Sequence, residues 1–308
     1  MDEVTRKKIA KEVAMVTRGM AIGNRLAKVS GKRISIPLPG RKLMAVYYPV
    51  NHPNAPMIFA FHGGGYVFGG CALDDNLYVG LRDALDANII SVGYRKAPKY
   101  KFPIPQEDCY DAVKYFMENT AYDFDRSRTA VYGGSAGANA AMAVTTLAKA
   151  RGGTKVGMRI LTYPFCDAFT HPAEKPGVMP QEVPMYEYFN EVGGTPADAK
   201  NPVVSPYWGT AEELDTTTPT IAILAEKDSL NSEGRATMEK LQGAGCDVEI
   251  YDAAGMPHGF FEFGFASPKD KNVDYLPEVL KQARADGTLT AQKDWSLEKI
   301  KAFWKKYF

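Results

Sequence analysis

Apolar residues follow two rhythms along the chain. Short unbroken apolar runs of strand type occupy residues 57–61, 88–92, 129–132, 159–163, 220–225 and 248–251. Between them lie longer stretches of helical composition at 73–87, 107–119, 138–150 and 233–243. Runs apolar on both faces read as buried parallel strands, and parallel strands need crossover helices. The pattern therefore predicts an α/β fold whose mostly parallel central sheet carries helices on both faces. Ligands of such sheets bind beyond the carboxyl ends of the strands.

Other segments complete the layout. Residues 1–28 place Ile9, Val13, Val16 and Met20 at helical spacing, which predicts a helix packed along that stripe. Residues 41–50 read as a strand closed by the turn Asn51-His52-Pro53-Asn54, and 295–307 as a last helix. Two stretches interrupt the alternation. Residues 165–215, rich in proline, aromatic and acidic side chains, are too long for a plain connection and predict a lid over the sheet edge. Residues 265–292 carry a short helical piece at 276–285 and no assignable role. No linker is visible, so the expectation is one domain over 1–308, with cap elements from about 1–30 and 165–215.

Composition narrows the partners. Apolar residues make up 45% of the 308 and the formal charge is +1, which fits a globular protein with a sizeable core and gives no reason to expect nucleic acid or an anionic membrane. The start of the chain lacks the apolar core of a secretory signal, so a cytoplasmic protein acting on small molecules is the expectation. Cys71, Cys109, Cys166 and Cys246 are widely spaced, without the paired pattern of a zinc site or a disulfide framework. No metal or organic cofactor is expected.

The chemistry concentrates at Gly133-Gly134-Ser135-Ala136-Gly137. A serine between glycines, after an apolar run and before an alanine-rich helical run, has the layout of a nucleophile elbow, in which flanking side chains would collide across a sharp turn. A serine nucleophile needs a general base. Of four histidines, His52 and His171 lie beside prolines in exposed-type loops, and His62 opens a glycine run. His258 follows the strand at 248–251, at the sheet edge where Ser135 would lie. Serine first and histidine last, with an acid between, is the chain order of α/β-hydrolases. Asp228, in the exit loop of the strand at 220–225, is the preferred acid; Glu226, Asp247 and Asp252 are weaker candidates. An N-cap role would compete for Asp228, though Ser232 fits that position better. An oxyanion hole also needs preorganised N–H donors, available from Ala136 and from His62-Gly63-Gly64-Gly65-Tyr66.

On these motifs the chain resembles the hormone-sensitive-lipase-like esterases and lipases of the α/β-hydrolase fold, over about residues 41–264. The resemblance extends to Tyr94-Arg95-Lys96-Ala97-Pro98, Phe102-Pro103, Glu107-Asp108, Asp125-Arg126-Ser127-Arg128, Tyr163-Pro164 and Ser205-Pro206. It implies that Gly64, Gly65 and Ala136 donate to the oxyanion, that His62 shapes its loop, and that Asp228, in Asp228-Ser229-Leu230, is the acid. It also implies homodimers as an available arrangement, through the edge strand or the last helix. Two departures stand out. The residue before the serine is commonly acidic in the family and is Gly134 here, and the segment ahead of the glycine run is short, which implies a reduced cap and an open or shallow pocket.

The expected activity is hydrolysis of short-acyl carboxylic esters by Ser135, His258 and Asp228 through an acyl-enzyme. Tyr66, Phe68 and Phe165 are candidate pocket walls, with Tyr186 and Phe189 from the lid. The same machinery could deacetylate sugars or other acylated small molecules, or cleave an amide, because a triad does not select the leaving group. A ligand receptor without catalysis is the remaining alternative.

Overall fold

The computed structural model describes residues 1–266 and 276–308. Among these, eight strands form one sheet in the order β1 (Lys32–Leu38), β2 (Arg41–Tyr48), β4 (Asn88–Gly93), β3 (Met57–Phe61), β5 (Thr129–Gly134), β6 (Met158–Thr162), β7 (Thr220–Ala225) and β8 (Val248–Ala253). Every pair from β4 through β8 is parallel, while β1 pairs with β2, and β2 with β4, in antiparallel fashion. The α/β architecture read from the apolar runs is the observed one. β1 is absent from that reading. Only Ile36 is buried along it, and an edge strand that also carries Pro37 has no apolar run to betray it.

Nine helices are described: α1 (Glu3–Leu26), α2 (Asp75–Leu85), α3 (Ile104–Glu118), α4 (Ala136–Arg151), α5 (Val183–Gly193), α6 (Asn231–Gly243), α7 (Phe260–Gly264), α8 (Glu278–Ala285) and α9 (Thr288–Tyr307). They sort onto the two faces by the two-residue period of the strands. Met57, Phe59 and Phe61 of β3 pack in the layer that holds α3, α4 and α6, while Ile58 and Ala60 pack in the layer that holds α2, α8 and α9. All five are fully buried, and at about 25 cal/mol per Å² of apolar area such strands dominate the driving force for folding.

Two expectations need correction. In α1 only Ile9 and Val13 are buried, packing on Tyr188 and Val192 of α5; Val16 and Met20 are 39% and 36% exposed. The helix is covered over part of its length, so its apolar stripe is longer than its contact. The final helix starts at Thr288 rather than 295, behind Gly287 at φ +83°. Leu276, Leu280, Ala283 and Leu289 are buried in the same core cluster as Ile300 and Phe303. The described parts of the 265–292 stretch thus belong to a helical layer of the main body; residues 267–275 lie outside the described residues.

Residues 165–215 contain a 3₁₀ turn (Pro172–Glu174) and α5. Their entry is pinned by Glu233, whose carboxylate accepts from the N–H groups of Cys166 at 2.7 Å and Asp167 at 3.1 Å and from Lys175 at 2.7 Å. Among the described residues, no helix is long and apolar enough to cross a membrane. All four cysteines are buried and unpaired.

Candidate active site

β5 delivers Ser135 at its carboxyl end, where the backbone turns directly into α4. Ser135 adopts φ +57° and ψ −123°, a left-handed conformation that an L-residue enters only when its surroundings enforce it. The enforcement is visible in the glycines. A Cβ on Gly133 would lie 2.1 Å from the carbonyl carbon and oxygen of Gly137, and one on Gly137 would lie 2.0 Å from the carbonyl oxygen of Phe61. The Ser135 N–H donates to the Thr162 carbonyl at 3.0 Å, tying the turn to β6.

The loops after β7 and β8 bring two further side chains to this point. His258 Nε2 lies 2.9 Å from Ser135 Oγ, and His258 Nδ1 lies 2.7 Å from Asp228 Oδ2. The Asp228 side chain is fully buried, and its other oxygen accepts from the Leu230 N–H at 3.0 Å. That second bond leaves the carboxylate one orientation. Burial alone would lower the His258 pKa, but the charge and hydrogen bond of Asp228 outweigh it and hold the imidazole above its ordinary value. The N-cap position of α6 is Leu230, without a side-chain cap, and Ser232 lies inside the helix, so neither Asp228 nor Ser232 serves there.

The competing residues are engaged elsewhere. Glu226 accepts from the Gly255 N–H at 2.6 Å, Asp252 pairs with Arg235, and Asp247 pairs with Lys306 at 2.7 Å. His52 faces Asp86 and His171 faces Glu187, both at the surface. His62 is buried and stacks on Tyr94 with ring centroids 4.2 Å apart. Burial, with the charge of Lys96, pushes its pKa down to about 3, so it is a neutral packing element.

The glycine run after β3 abuts the elbow. A Cβ on Gly63 would fall 3.1 Å from the Gly134 carbonyl oxygen and 3.5 Å from Ser135 Cβ. Gly64 and Gly65 have φ of +108° and +60°, and a Cβ on Gly64 would lie 2.7 Å from the backbone of Phe68. Among the described residues, the N–H groups of Gly64, Gly65 and Ala136 donate to no backbone acceptor outside regular helices and strands. The loop is braced from β4: Tyr94 donates through its hydroxyl to the His62 carbonyl at 2.6 Å. Arg95 in turn forks onto Asp108 at 2.8 Å from both Nε and a terminal nitrogen, and Arg41 reaches the same carboxylate at 2.7 Å.

These elements surround a cavity of about 690 Å³. Ser135, His258, Gly64, Gly65, Ala136, Tyr66, Phe68 and Phe165 all line it, as do Tyr186 and Phe189 of α5. α5 and the residues flanking it supply much of the wall around this volume. Tyr66 is buried and donates through its hydroxyl to Asn139 at 2.6 Å, so it is a braced wall. Sequence reasoning missed Met20, Asp74, Gln106 and Glu262 among the lining residues. None sits in a recognisable motif, and each reaches the cavity only through the tertiary fold.

Comparison with known proteins agrees with this layout. A family model described as the alpha/beta hydrolase fold matches residues 58–262. The chain is 31% identical over 231 residues to an ethyl acetate hydrolase of Pseudomonas putida, covering 72% of this chain and 71% of that one. It is 29% identical over 230 residues to Esterase LipI of Mycobacterium tuberculosis, covering 72% of each. Among solved structures, the thermostable carboxylesterase EstE1, cloned from a metagenomic library, superposes with a TM-score of 0.75 at 25% identity over 97% of both chains. The chain belongs to the α/β-hydrolase fold family, within its hormone-sensitive-lipase-like esterases.

Proposed function

We propose that this carboxylic ester hydrolase works through Ser135 as nucleophile, His258 as general base and acid, and Asp228 as the group that orients His258. The observation that carries the reading is the continuous hydrogen-bonded line from Ser135 Oγ through both ring nitrogens of His258 to a buried carboxylate, at 2.9 and 2.7 Å. Ser135 attacks the ester carbonyl as its proton passes to His258 Nε2. The imidazolium that forms is stabilised by Asp228. The tetrahedral oxygen takes hydrogen bonds from the N–H groups of Gly64, Gly65 and Ala136. His258 then protonates the leaving alcohol, and water repeats the sequence on the acyl-enzyme.

The preferred substrates are esters of short-chain acids. Two features support this: α1 and α5 supply a small cap without a long apolar lid helix, and the Pseudomonas putida relative is named for ethyl acetate. Initial rates on p-nitrophenyl esters from acetate to palmitate, with acetylated sugars assayed in parallel, test the assignment. Highest kcat/KM at six carbons or fewer is expected; a maximum at twelve or more would contradict it, and faster turnover of acetylated sugars would replace simple esters as the substrate class.

A further inference from the structure

Gly134 precedes the nucleophile, yet its backbone does not require glycine. Its φ lies outside the left-handed region, unlike that of Ser135 beside it. Gly133 and Gly137 are enforced by backbone atoms, whereas the obstacle at Gly134 is another side chain. A Cβ there would lie 2.0 Å from Glu262 Oε1 and 2.9 Å from Thr162 Oγ1. Glu262 arrives from α7, just beyond His258, and its carboxyl fills the space beside the elbow that a side chain at 134 would take. On its far side the same oxygen accepts from the Tyr132 hydroxyl at 3.3 Å. What remains open of the carboxyl faces the cavity shared by Ser135 and His258, whose lining includes no lysine or arginine among the described residues.

We propose that Glu262 is a positioning residue of this active site: its carboxyl, inserted from α7 against Gly134, braces the nucleophile elbow, so that positions 134 and 262 form one exchangeable unit. The proposal rests on the reading of Ser135 as the nucleophile. It explains why the residue before the serine carries no side chain here, since the carboxyl comes from a different element.

The surroundings fix the form in which this carboxyl works. Burial, and then the nearby charge of Asp74, the N-cap residue of α2, push it up to about 8, against the opposing hydrogen bonds of Tyr132 and Thr162. Asp74 is itself raised to about 6 by burial. His258 lies in the loop leading to α7. Lys293 of α9 packs on Gly264 but turns its ammonium to Asp294. Among the described residues no lysine or arginine lines the cavity beside Glu262, and a pKa raised to about 8 favours its protonated form at neutral pH. Below its pKa the carboxyl is an uncharged hydrogen-bonding brace; as pH rises through it, a negative charge appears beside the elbow, where the tetrahedral oxyanion also develops. Turnover should then fall.

The test is kcat and KM for ethyl butyrate by pH-stat between pH 6 and 10, with thermal unfolding of each variant. Glu262→Gln should retain more of its kcat at pH 7 than Glu262→Ala does and lose the alkaline limb that the wild type shows near pH 8. Glu262→Ala should lose about 10- to 100-fold in kcat with little change in KM, the scale of a misplaced reacting group. Gly134→Asp should be impaired alone and recover when combined with Glu262→Gly. An alkaline limb unchanged in Glu262→Gln, wild-type kcat in Glu262→Ala, or a double variant no better than Gly134→Asp would overturn the proposal. Ester turnover by Ser135→Ala would instead sink the assignment of the nucleophile on which it rests.

Discussion

Gly133 and Gly137 face each other across the turn that carries Ser135, so closely that a Cβ on Gly133 would sit 2.1 Å from the Gly137 backbone. Neither partner can move aside, because one belongs to the central strand β5 and the other to the first turn of α4. Gly133→Ala should therefore destabilise the fold by about 3 kcal/mol, the upper end for overpacking, since the obstacle is backbone. Urea unfolding measures this. A variant as stable as the wild type would mean that the turn is looser than its geometry implies.

The His258 imidazole must be neutral to accept the Ser135 proton. Its pKa is held above the 6.5 of a free imidazole, chiefly because Asp228 overcomes the effect of burial. Activity is then lost as pH falls through that raised value, so the acid limb of kcat/KM should lie above 6.5, on the acid side of the alkaline limb that Glu262 sets. Asp228→Asn removes the charge and leaves burial dominant. The limb should move to lower pH, and kcat should fall by about 10⁴-fold as the wrong tautomer is favoured. A pH–rate profile of the two proteins checks both effects, and near-wild-type turnover in the variant would remove Asp228 from its role.

Asp108 is a remote support of the glycine loop. Its buried carboxylate holds Arg41 and Arg95, and the residue before Arg95, Tyr94, carries the hydroxyl that braces the His62 carbonyl. Asp108→Ala should cost about 3 kcal/mol, the low end for breaking a buried pair, because the arginines are 19% and 29% exposed and are partly rehydrated. The denaturation midpoint should drop, and kcat should fall because Gly64 and Gly65 lose their backing. Loss of stability with unchanged kcat would confine Asp108 to folding.

Much of this site was legible in the sequence because local sterics write themselves into residue type. The glycines around Ser135 mark a turn that excludes side chains, and chain order with a place after an apolar strand singles out His258 and Asp228, which the fold brings into one hydrogen-bonded line with Ser135. β1 was hidden because an edge strand with one buried side chain has no apolar run. The start of α9 was hidden because the extra turns are polar except for Leu289 and the small Ala291. Glu262 was invisible for a different reason. Its contact with Gly134 joins residues far apart in sequence, and the signal was a missing side chain at one position, which only the fold connects to a surplus carboxyl at the other.

In the proposed mechanism Ser135 is the residue acylated during ester hydrolysis. Treating the protein with a fluorophosphonate and locating the adduct by tandem mass spectrometry tests it most directly. One adduct on the peptide containing Ser135, lost in Ser135→Ala together with about a million-fold of kcat, is the expected result. An adduct on any other residue, or substantial ester hydrolysis by Ser135→Ala, would contradict it.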